Sequence, residues 1–84
     1  MGRPEQTETV VNYLRDLGYL VREAAVEARD RSQASAGDGF EVGRAAAYHE
    51  VASLMESQAR SFGLDLSALA FDGFDPDRDL LSTP

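Results

Sequence analysis

The chain has 84 residues, with eight Lys+Arg against fifteen Asp+Glu for a formal net charge of -7, and no cysteine. That is the budget of one small acidic domain, and it excludes a disulfide scaffold, a thiolate metal site and a cysteine nucleophile. A domain of this size buries only about 60% of its unfolded surface, so association is a common way to complete its core. All the cations are Arg, and Ile and Trp are missing as well, as a GC-rich coding sequence of bacterial or phage type would produce. No apolar run follows Met1-Gly2-Arg3-Pro4-Glu5, and none approaches the roughly 20 residues of a membrane span. The expectation is no signal peptide, no membrane segment and a cytoplasmic location.

Residues 5–32 are predicted to form one helix, because Val10, Leu14, Leu17, Val21, Ala24 and Ala28 recur at alternating steps of four and three, a heptad seam. Pro4 suits the first helical position, and Glu5 and Glu8 place negative charge where the helix dipole favours it. Residues 33–38 are small, polar and glycine-bearing, so they read as a loop. Asp38, with Glu41 three residues on, resembles a capping box that opens a second helix over 39–62. Phe40, Ala47, Tyr48, Val51, Leu54, Met55 and Phe62 form the apolar side of that helix, expected to face inward. Gly63 suits a left-handed residue in a Schellman closure, with Leu64 returning to Ala59. In the acidic-hydrophobic segment 64–84, Asp65 is expected to cap a short turn through Leu66 to Ala70, and Asp75-Pro76 to start another through Leu81.

The whole reads as a single all-α domain, a long antiparallel helical hairpin with short C-terminal helical turns. Seam residues shrink toward Ala24, Ala25 and Ala28, which an antiparallel hairpin would set against Ala45, Ala46 and Ala47. A further stripe on helix 1, from Leu14 through Val11, Gly18 and Ala25, is left for the C-terminal segment or another subunit to cover. A two-fold homodimer forming a four-helix bundle is the economical expectation. An apolar-Arg-acid triplet repeats at 14–16, 21–23 and 28–30, giving helix 1 a basic edge of Arg15, Arg22 and Arg29 and an acidic edge of Asp16, Glu23 and Asp30. Charged edges of this kind are ordinarily solvated exteriors; the functional alternative is an edge that selects a partner or an orientation.

Arg44 and Gln58 fall within the apolar stripe of helix 2, where a polar group can set dimer register; Arg44 either snorkels to water or pairs with a carboxylate such as Glu27. His49 is the only histidine and projects away from the stripe, so a surface position is expected and no metal site. Asp75-Pro76-Asp77-Arg78-Asp79 superficially resembles a calcium loop, but Leu80 stands where such a loop needs Gly. No catalytic constellation and no cofactor motif is present, so a non-enzymatic protein is expected. The acidic balance argues against nucleic acid and against anionic membrane surfaces. What remains is a protein–protein interaction or regulatory module acting by occupancy of a partner protein. Its contact candidates are Tyr13, Tyr19 and Val26, together with Asp72, Phe74, Asp75, Asp77 and Asp79 of the acidic end, if that end docks a partner instead of covering the hairpin. The alternative function is an acidic inhibitor or antitoxin-like protein that blocks a basic, nucleic-acid-binding surface; a small-ligand pocket between splayed helices is a third.

Overall fold

The computed structural model describes residues 4–81, with side chains from Gln6 onward; residues 1–3 and 82–84, and the side chain of the first-turn acid Glu5, lie outside the described residues. Helix α1 spans Pro4–Ala34, α2 spans Gly39–Ser61, a single 3-10 turn spans Leu66–Leu69 and α3 spans Pro76–Leu81. No strand occurs among the described residues. The first helix therefore extends two residues past its expected end, while the second stops one residue short.

Local chemistry explains the boundaries between Asp38 and Ala70. Asp38 accepts from the backbone N–H groups of Phe40 at 2.9 Å and Glu41 at 3.4 Å, which satisfies two orphan donors of α2. Its own N–H donates to the Ser35 carbonyl at 2.8 Å, so Glu41 has no donor to return to and the capping box is only half formed. Gly63 adopts φ +68°, and the bonds from its N–H to Arg60 O (3.1 Å) and from Leu64 N–H to Ala59 O (2.8 Å) complete the Schellman motif. Asp65 caps the 3-10 turn through Ser67 N–H at 3.1 Å, and the turn ends on Ala70 in the left-handed region at φ 56°.

Alanine makes the hairpin contact. Ala25 on α1 shares one buried cluster with Ala52 and Ala59 on α2, Ala28 is fully buried, and Ala45, in the same row of α2, is half-buried. Of the expected α2 partners Ala45, Ala46 and Ala47 only Ala45 is even half-buried; the inward row on α2 runs at seven-residue intervals, and Ala46 and Ala47 are exposed. The expected inner side of α2 is turned outward: Phe40, Val51, Leu54 and Phe62 are 73%, 43%, 62% and 76% exposed, and only Tyr48 and Met55 reach the core from its edge. On α1, Val10 and Leu17 of the expected seam are exposed too. Methyl-sized side chains let helix axes approach more closely than Leu or Phe would, so the alanine rows pair and the larger groups are displaced to the outside.

Large side chains reach the core from the C-terminal segment instead. Leu69, Phe71, Phe74 and Leu80 are buried there with Pro76, and Phe71 meets Phe74 edge to face at 5.1 Å between ring centroids. This segment lies on both helices and covers Gly18 and Ala25 of the further stripe, while Val11, expected to be covered with them, stays 49% exposed. Contact at Gly18 is so close that a Cβ there would stand 1.9 Å from the Leu69 carbonyl oxygen. The molecule measures 50 × 19 × 16 Å, with a radius of gyration of 14.7 Å against roughly 12 Å for a compact domain of this length.

Candidate interaction surface

The hairpin has one covered side and one open side, and arginine holds the cover in place. Arg22 donates through Nη1 to the carbonyls of Ala70 (3.0 Å) and Asp72 (2.9 Å), and its guanidinium lies 5.0 Å from the centre of the Phe74 ring. One heptad on, Arg29 donates to the Asp79 carbonyl at 2.6 Å while its other edge pairs with Asp30 at 2.7 Å. The Ala70 and Asp72 carbonyls lie in turns and that of Asp79 in the short α3, and a guanidinium with several N–H groups serves two acceptors at once. Arg15, on the same edge, reaches only within α1, to Asn12 at 2.9 Å. For Arg22 and Arg29 the solvated-exterior expectation is therefore corrected: that edge organises the chain's own C-terminal segment. Sequence reasoning missed these two as clamps and Gly18 as their neighbour. A glycine inside an otherwise strong helix, four residues before an Arg on the same flank, was the available signal.

The acids of the C-terminal segment are largely occupied. Asp75 caps α3, accepting from the N–H groups of Asp77 (3.0 Å) and Arg78 (3.3 Å). Asp79 accepts from Arg78 at 2.8 Å and from Asp75 N–H at 2.9 Å. The Arg78 bond first, then the backbone bond, holds the Asp79 carboxyl down at about 2, and the same pairing raises Arg78. Asp77 bonds His49 Nε2 at 2.8 Å, tying α3 to α2; His49 is half-buried, in place of the expected surface position. Asp72 is exposed. Phe74, a candidate contact, is only 4% exposed and belongs to the core, so a partner could reach it only by lifting the segment.

The three α1 candidates separate. Tyr19 donates its hydroxyl to the Glu23 carboxylate, and that bond and charge raise the Tyr19 pKa above its ordinary value. With Glu23, Glu27 and Asp30 it lines a shallow trough of about 620 Å³, which half-buried Val26 shares while packing against the core. Tyr13 lies about 120° away around the helix, exposed beside Val10, Leu17 and Leu20.

Those four form one half of the open side, about 140° around α1 from the residues that face the cover. Phe40, Val51, Leu54 and Phe62 form the other half, about 180° around α2 from His49. Gln58 is exposed among them and Arg44 half-buried. Arg44 stacks on Tyr48, 5.2 Å from its ring centre, with one buried N–H (Nη1) lacking an acceptor. Glu27 pairs with Arg31 at 3.1 Å, so the Arg44–Glu27 pair is not formed. An apolar hollow of about 170 Å³ lies between Leu14, Met55, Ala59, Phe62, Leu64 and Leu69, smaller than the roughly 300–1,000 Å³ of ordinary small-molecule sites.

Among the described residues no group of three or more His, Asp or Glu side chains could hold a metal ion, and no helix is long and apolar enough to cross a membrane. Comparison with protein-family models, curated proteins and solved structures returned no match.

Proposed function

We propose that this protein is a small acidic, non-enzymatic protein–protein interaction module that assembles as a homodimeric four-helix bundle and acts in the cytoplasm by occupying a partner protein. The open side of the hairpin carries this reading. Eight large apolar side chains, Val10, Tyr13, Leu17, Leu20, Phe40, Val51, Leu54 and Phe62, lie exposed along it. At roughly 100 Å² each they amount to about 800 Å² per copy, the size of one side of a standard interface and more than a soluble monomer ordinarily leaves uncovered. Closing two such sides together leaves the trough of Tyr19 and Val26, and the nearby Asp72, for the partner protein. The acidic-inhibitor reading has less support, because oxygens of Asp75, Asp77 and Asp79 are engaged in caps and ion pairs within the chain.

Light scattering on a size-exclusion column tests the assembly. A mass twice the 9.1 kDa chain at both low and high salt is expected, since apolar burial is not screened by salt. A monomer at both salts refutes the bundle.

A further inference from the structure

The exposed stripe of α2 is a palindrome about Val51. Counting eleven residues outward from Val51 reaches Phe40 on one side and Phe62 on the other; counting seven reaches Arg44 and Gln58; counting four and three reaches Ala47 and Tyr48 against Met55 and Leu54. At 100° per residue Phe40, Arg44, Gln58 and Phe62 all stand within about 20° of Val51. The three carboxylates of α2, Glu41, Glu50 and Glu56, lie about 80° or more away, so nothing in the stripe repels a second copy of an acidic chain except Arg44 meeting Arg44.

We propose that the occupant of this face is a second copy of the chain, docked with α2 antiparallel to α2 about a two-fold axis through Val51. The inference rests on the dimeric reading above and specifies its register. Antiparallel pairing sets Phe40 on the partner's Phe62 and Arg44 opposite the partner's Gln58, and the small Ala47 receives the partner's Leu54 and Met55. Each match occurs twice, as an isologous interface requires. Arg44 then meets an amide oxygen in place of its like, and a guanidinium with several N–H groups can donate to it. A parallel in-register pair would instead put Arg44 against the partner's Arg44. The two most exposed large apolar groups, Phe62 and Phe40, become the two ends of the interface, about 33 Å apart along the helix.

The chain has no native cysteine, so disulfide trapping reads the register directly. Phe40→Cys and Phe62→Cys are placed at exposed positions and are checked for helicity by circular dichroism. The expected result is a covalent dimer when the two variants are mixed and mildly oxidised, and none from either variant alone, since like positions lie about 33 Å apart. Cross-linking of either variant by itself overturns the antiparallel register. Dimer mass by light scattering with no cross-link in the mixture overturns the α2 interface while leaving the dimer standing. A monomer overturns both. As a second arm, Arg44→Glu combined with Gln58→Arg is expected to remain dimeric, because each new pair is of opposite charge; conversion to monomer refutes the proposed pairing.

Discussion

Replacing Gly18 with alanine tests how the C-terminal segment is held, because the sign of the effect separates two accounts. A Cβ at position 18 would lie 1.9 Å from the Leu69 carbonyl oxygen, 2.7 Å from its carbon and 2.9 Å from its Cβ. Restoring an ordinary contact of 3.4 Å requires backbone to retreat by 3.4 − 1.9 = 1.5 Å. The Arg22 bonds to Ala70 and Asp72, now 3.0 and 2.9 Å, would then open beyond hydrogen-bonding range. Bonds from a charged donor contribute about 1.5–3 kcal/mol each, and overpacking without retreat costs about 1–3 kcal/mol. Against this, alanine within a helix gains up to about 1 kcal/mol over glycine. The net expectation is a loss of about 2 kcal/mol, out of a total of roughly 4–13 kcal/mol for a chain of this length. That corresponds to a Tm lower by roughly 8–16 °C. Urea unfolding followed by circular dichroism at fixed chain concentration measures it, and hydrogen exchange at Leu69–Asp72 should accelerate in step. Gly43→Ala is the control: nothing lies within 4 Å of a Cβ there, so it should stabilise by about 0.5–1 kcal/mol. If Gly18→Ala is as stable as the parent or more so, the close contact does not hold the segment and the account fails.

Arg22→Met should cost about 2 kcal/mol and expose the segment to proteolysis, whereas Arg15→Met should stay within about 0.5 kcal/mol; equal effects would refute the clamp. Asp79 has a folded pKa of about 2, below its usual 3.8, so its contribution is present above pH 3.8 and is lost as pH falls toward 2. The parent should therefore lose more stability than Asp79→Asn between pH 4 and 2, and parallel acid titrations would contradict this. Ala70→Gly should stabilise by up to about 1 kcal/mol, because it relieves the left-handed φ of 56°; destabilisation in urea would mean the turn depends on the methyl group.

Element boundaries and caps were legible because they rest on single residues with local chemistry. Asp38, Gly63, Asp65 and Asp75-Pro76 each act within one turn, and all of them open or close an element as expected. The candidate surface was legible only in part. Periodicity groups Arg44 and Gln58 with Val51 on one stripe of α2, but it could not show that this stripe faces outward. The clamps at Arg22 and Arg29 reach carbonyls 48 to 50 residues away, a pairing that no local pattern encodes.

The turning of α2 has one physical cause. A helical wheel weighted by hydrophobicity ranks Phe, Leu and Val above Ala, so it points to the stripe with the most transferable area. The hairpin contact instead favours the closest approach, which the Ala45, Ala52 and Ala59 row permits. These criteria agree when a helix has one neighbour and diverge when it has two, since the thin side then serves the intramolecular contact and the thick side the other. A chain with a thin alanine seam inside and an uncovered Phe, Val and Leu stripe outside, palindromic about Val51, thus carries two packing instructions on one helix. The register experiment asks whether the second of them is addressed to another copy of the same chain.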